Sequence, residues 1–191
     1  MKIKIGTKPY IYPVPIVLAG AVVNGKPSFT TIGDVGLMGI NPPLVYISSH
    51  IKHYLNIGIL EHGCWSINFP TTGMLSKVDY CGQVSGRDVD KGALFDAFYG
   101  DLPHAPLIRE CPVNLECRVV KEFAIQHRQV FVGQVVMTHV DQELVRVEGG
   151  ETRIAGLEEL DPILYALDNC YYRVGPPIGI GYQEAGKREC H

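Results

Sequence analysis

Ile16–Val23 is a near-continuous apolar run, and Asn24-Gly25 follows it at once. A short apolar run without polar alternation fits a strand buried on both faces. Asn-Gly tolerates the positive φ angles of a tight turn, so a hairpin carries the chain into Ser28–Ile32. Lys2, Lys4 and Lys8 precede Val14–Val23, and Ala19-Gly20-Ala21 resembles a small-residue cleavage site. Pro13 and Pro15 flank the start of the run, which is too short to span a bilayer, so it reads as a buried strand and not as a leader or a membrane segment.

The same grammar continues. Pro9, Pro13 and Pro15 keep Met1–Pro15 extended. Leu44–Ser48, after Asn41-Pro42-Pro43, is a central strand candidate. From Ser49 the period changes: Ile51, Tyr54, Leu55, Gly58 and Ile59 share a helical face, with Ser48 or Ser49 as N-cap and Gly63 as the stop. Cys64–Phe69 reads as a strand ended by Pro70, and Gly73–Cys81 as a short helix with Met74, Leu75 and Val78 on one face. Val113–Phe123 and Gln129–Val140 read as a long hairpin that Leu144–Val147 continues. Glu148–Asp161 is polar and looped or briefly helical, Pro162 opens a turn at Ile163–Leu167, and Tyr171–Gln183 joins an aromatic strand to a Gly/Pro run. Strands do not alternate with long helices, and neither GxGxxG nor GxxxxGK[ST] occurs, so a Rossmann sheet is disfavoured.

The 191 residues suit a single domain, residues 1–191. Gly 21 and Pro 13 fit many turns between short strands, and the class is mostly β. A formal charge of -3 without a Lys/Arg cluster argues against nucleic acid. The six cysteines are scattered, without CxxC pairs, which fits a reduced, cytoplasmic setting.

Two stretches carry candidate site residues. Phe29, Thr30, Thr31, Ile32, Gly33, Asp34 and Val35 gather hydroxyls and a glycine at a strand mouth, where main-chain N–H groups can approach a flat or phosphorylated ligand. The predicted helix start points its free N–H groups, with Lys52 and His53, towards the same mouth. The first stretch is equally a wide hairpin loop, and the second a serine-capped helix. In Cys81–Lys91, two glycines, a serine, Arg87 and Lys91 either wrap a phosphate or form a solvated turn. His50, His53, His62 and Cys64 lack the spacing of a metal site, and none is expected.

In this order Lys8-Pro9-Tyr10 with Pro13 and Pro15, the Pro27–Gly36 segment, Asn41-Pro42-Pro43, His53-Tyr54 with Asn56-Ile57, Asp79-Tyr80-Cys81-Gly82, Ser85-Gly86-Arg87, Asp90-Lys91, Gly133-Gln134-Val135 and Asp161-Pro162 through Tyr171–Gly175 resemble the landmarks of the flavin reductase-like proteins, most closely the flavoredoxin type. The resemblance implies a closed antiparallel split β-barrel of Greek-key character with short peripheral helices, working as a homodimer with FMN near the interface. It places Phe29–Val35 along the flavin ring, Ser48, Ser49, Lys52 and His53 at the phosphate, and Cys81, Gly82, Ser85, Gly86 and Lys91 over the flavin. His127 matches a histidine near the nicotinamide or substrate face, and would be the catalytic candidate. The implied activity is electron transfer from NAD(P)H to flavin. The alternatives are an electron carrier with fixed FMN that serves a redox partner protein, and a flavin-free binding or structural module. Ser48 or Ser49 stands where the family usually carries a basic residue, His53 where it usually carries threonine, and Asp34 puts a carboxylate in the flavin segment; these departures keep the last alternative open.

Overall fold

The computed structural model describes residues 1–181; Gln183 and Cys190 lie outside the described residues. The chain opens with β1 (Val14–Pro15), β2 (Val17–Val23) and β3 (Lys26–Ile32). Asn24 and Gly25, both at positive φ, make the turn between β2 and β3. Next come β4 (Val35–Gly39), β5 (Leu44–His50), α1 (Leu55–His62), β6 (Cys64–Phe69) and α2 (Leu75–Gln83). Short strands β7 (Ala97–Phe98) and β8 (Leu107–Ile108) pair locally before the long hairpin of β9 (Val113–Ile125) and β10 (Arg128–Val140). The chain ends with β11 (Val145–Glu148), β12 (Glu151–Ile154), α3 (Leu157–Leu160), β13 (Ile163–Tyr165) and β14 (Tyr171–Arg173).

Seven strands form one antiparallel sheet in the order β3-β2-β6-β9-β10-β5-β4. β3 and β4 are its opposite edges, yet only Gly33 and Asp34 join them. Laid flat, seven strands would hold those edges about 29 Å apart, at about 4.8 Å per strand. Two residues cannot bridge that distance, so the sheet must curl enough to bring the end of β3 close to the start of β4. The expected closed barrel is nevertheless corrected: among the described residues no ladder joins β3 to β4. The turn is committed elsewhere, because the Asp34 carbonyl accepts the Ser48 N–H of β5 at 2.8 Å.

β2 is buried along its whole length because it divides two cores. Val17, Ala19 and Ala21 face one core with Ile47, Ile59, Trp65 and Phe131; Leu18 faces the other with Phe29, Val78, Phe95 and Ile108. The β-strand period of two assigns alternate residues to the two cores. Helix α1 covers the first core through Leu55 and Ile59, and α2 the second through Val78 and Cys81.

Three local expectations change. β5 runs on to His50 and α1 begins only at Leu55, with Tyr54 at its N-cap and no side-chain cap. The Ser49 hydroxyl instead donates to Asn56 Oδ1 at 2.6 Å, while Asn56 Nδ2 donates to the His50 carbonyl. Strand β11 pairs with β12 and does not extend the long hairpin, so part of the expected Glu148–Asp161 loop is strand. Phe29–Ile32 and Val35 are likewise strand residues, and only Gly33-Asp34 is loop.

Candidate functional site

The loop after α2 folds back over the start of β3 and the turn before α1, enclosing a cavity of about 230 Å³. Ser28, Phe29 and Thr30 line it from β3, Lys52 and His53 from the turn, and Gly82, Ser85, Gly86, Arg87 and Lys91 from α2 and its loop. Its charge is one-sided. Lys91 is only 4% exposed, and its ammonium donates to the Cys81 carbonyl at 2.7 Å. Arg87 lies over the Tyr54 ring and donates to the Lys52 carbonyl at 2.9 Å. Burial lowers the Lys91 pKa. His53 is lowered first by burial and then by Lys91, Arg128, His50 and Arg87. Its Nδ1 is buried without a hydrogen-bond partner among the described residues, an arrangement that costs free energy unless a ligand or water in the cavity satisfies it.

A larger cleft of about 850 Å³ shares Gly82 and Gln83 with this cavity. One side carries Gly33, Asp34, Val35, Tyr46, Ser48 and Arg128; the other is formed by Pro9–Ile16 with Tyr165 and Tyr171. The Tyr171 hydroxyl donates to Asp79 Oδ1 at 2.8 Å, and burial together with that bond pushes its pKa up to about 12. Arg128 Nε donates to the Ser48 hydroxyl at 3.1 Å, its Nη2 to the Ser48 carbonyl at 2.6 Å, and its guanidinium pairs with the Asp34 carboxylate.

A cationic pocket opening beside a long cleft walled by strands and tyrosines suits a phosphorylated planar ligand. Residues 9–166 match the family described as flavin reductase like domain. The chain belongs to that family. This flavin reductase-like chain is 39% identical to a flavoredoxin from Methanosarcina acetivorans, with a TM-score of 0.90 over 97% of each chain. It is 26% identical to the flavoredoxin of Desulfovibrio vulgaris (Miyazaki F), with a TM-score of 0.86 over 97% of this chain and 100% of the other. It is also 31% identical to an uncharacterised protein of Archaeoglobus fulgidus over 69% of this chain and 76% of that protein. The split-barrel fold and the flavoredoxin likeness are thus shown.

Within this flavin reductase-like chain the proposed phosphate and ring residues divide by position. Thr30, Lys52, His53, Gly82, Ser85, Gly86 and Lys91 converge on the smaller cavity; Gly33, Asp34, Val35, Ser48 and again Gly82 line the larger cleft. Four residues point elsewhere. Ile32 is core, and Ser49 is 2% exposed and bonded to Asn56. The Thr31 hydroxyl donates to the Val78 carbonyl, and Cys81 is a fully buried thiol whose pKa burial raises. Phe29 is 0% exposed and packs edge-on against Phe95, lining the cavity only as its floor.

His127 sits in the β9–β10 turn, lines neither cavity, and stacks on His50 at 6.4 Å. Of the other histidines, His50 and His53 are 6.4 Å apart, whereas His62 stacks on His104 at 3.9 Å. At the start of α1 the Asn56 and Ile57 N–H groups donate to the His53 and Tyr54 carbonyls, so these two do not face a ligand.

Sequence reading missed Arg128 and the cleft wall of Pro9–Ile16, Tyr165 and Tyr171. Arg128 has no motif. The strand register puts Val130 opposite Ser48, and Arg128, two residues earlier, reaches back to it.

Proposed function

We propose that this protein is an FMN-binding oxidoreductase that takes electrons from NAD(P)H and passes them to flavin, or through bound FMN to an acceptor. The observation that carries the reading is the unpartnered, buried His53 Nδ1 among Lys52, Arg87 and Lys91, next to a cleft long enough for a ring system. Lys91, Lys52 and Arg87 would hold a terminal phosphate, with Ser85 and Thr30 as hydroxyl partners. Asp34 and Ser48, on the strand side of the cleft, and the tyrosines opposite would orient and shield the ring. The bound flavin would supply the hydride- and electron-accepting chemistry, and the chain's task is position, dryness and hydrogen bonds.

A second reading, an electron carrier with fixed FMN serving a redox partner protein, draws on the likeness to two flavoredoxins. A homodimer accords with the apolar Leu37, Met38 and Ile40, exposed on and after edge strand β4. His127, which lines neither cavity, would stand beside the nicotinamide only if a neighbouring subunit completed the site. A reduced, cytoplasmic location accords with the free cysteines Cys64, Cys81, Cys111, Cys117 and Cys170. Among the described residues, no helix is long and apolar enough to cross a membrane.

The test is the visible spectrum of purified protein with added FMN, followed anaerobically by NADH and then NADPH. Bleaching and multiple turnover of free flavin in air is the expected result. A bound flavin reduced only by dithionite supports the carrier. Failure to bind flavin returns the flavin-free module.

A further inference from the structure

We propose that Arg128 sets the charge at the flavin cleft and that Asp34 holds it there, so the pair governs how strongly the protein favours reduced over oxidised flavin; this rests on the cofactor reading above. Arg128 stands on β10 but binds two other elements, the hydroxyl and carbonyl of Ser48 on β5 and the carboxylate of Asp34 in the turn joining the two barrel edges. All three residues line the larger cleft. Structural stapling alone does not account for the pair. The Asp34 carbonyl is already tied to the Ser48 N–H, and the ion pair is solvent-accessible, with side-chain exposures of 38% and 65%, where such pairs stabilise little. What the pair does alter is the electrostatic potential along the cleft that its residues line, and a ring filling that cleft would displace water and strengthen the effect.

The sign follows from charge. Oxidised flavin takes up two electrons with one proton to give an anionic ring, or with two protons to give a neutral one. A guanidinium at the cleft favours the anion and a lone carboxylate opposes it. Paired with Arg128, the Asp34 charge is compensated; without Arg128 it would be left as an uncompensated negative charge in the cleft.

The test measures dissociation constants for oxidised FMN and for dithionite-reduced FMN under anaerobic conditions. It uses the full-length protein and the variants Arg128→Gln, Arg128→Lys and Asp34→Asn, with thermal melts to confirm folding. Arg128→Gln is expected to weaken binding of reduced FMN about tenfold more than that of oxidised FMN. Arg128→Lys restores most of the difference, and Asp34→Asn shifts the ratio the other way. Equal weakening of both redox forms would reduce Arg128 to a structural staple and overturn the proposal. If Arg128→Gln does not fold, an unchanged ratio in Asp34→Asn overturns it. No binding of either form by the unsubstituted protein would sink the cofactor reading and this inference with it.

Discussion

Burial first, and then the surrounding cations, hold the His53 pKa below its ordinary value and disfavour its charged form in the free protein. A phosphate dianion bound beside its unpartnered Nδ1 would oppose that preference and raise its pKa. A group that gains a proton on binding tightens the complex as pH falls. Affinity for FMN is therefore expected to rise from pH 8 to pH 6.5, while affinity for riboflavin, which lacks the phosphate, changes little. Fluorescence titration of both ligands checks this, and His53→Gln should flatten the FMN slope. Folding stability runs the opposite way in the unliganded protein: the unfolded chain binds the His53 proton more readily, so this residue's contribution falls as pH drops through its ordinary value of 6.5. Lys52→Ala, at an exposed lining position, should cost about 1–3 kcal/mol of FMN binding. Unchanged affinity in isothermal titration would remove Lys52 from the phosphate site.

Elements follow local rules until packing intervenes. The β2–β3 turn, the Gly63 stop at φ 64 and the β9–β10 hairpin match expectation, because each depends on a few adjacent residues. The start of α1 does not match. Ser49 belongs to a strand paired with Gln129, and tertiary pairing overrides its capping propensity. Gly58 shows the same influence in packing: a Cβ there would lie 2.1 Å from the Val22 carbonyl oxygen, so α1 rests directly on β2. Gly58→Ala should destabilise the fold by about 2–3 kcal/mol through overpacking, read as a lowered denaturation midpoint. Gly133 is similarly placed, with a would-be Cβ 2.1 Å from Trp65 Cη2, which gives a steric reason for the Gly133-Gln134-Val135 motif.

At the scale of the molecule, the curled sheet leaves edge strand β4 with apolar side chains in solvent. If a second copy covers them, Leu37→Glu should lower the mass seen by sedimentation and weaken FMN binding along with it. A dimer unaffected by Leu37→Glu would place the interface on another face. The site spans segments distant in sequence: Arg87 bonds residue 52 across 35 positions, and Arg128 reaches Ser48 and Asp34 across 80 and 94. By itself the sequence determined the mostly antiparallel architecture, the buried β2 hairpin, and the hydroxyl, glycine and lysine segments from which the small cationic cavity is built. Turn dihedrals, strand period and helix stops are local properties. Only the tertiary structure decided that the barrel stays open between β3 and β4, that Lys91 is buried while Ser49 turns away, and that Arg128 stands at the cleft. Those outcomes depend on strand register and on the path of a sheet whose edges are joined by two residues, and neither is written in any one stretch of chain.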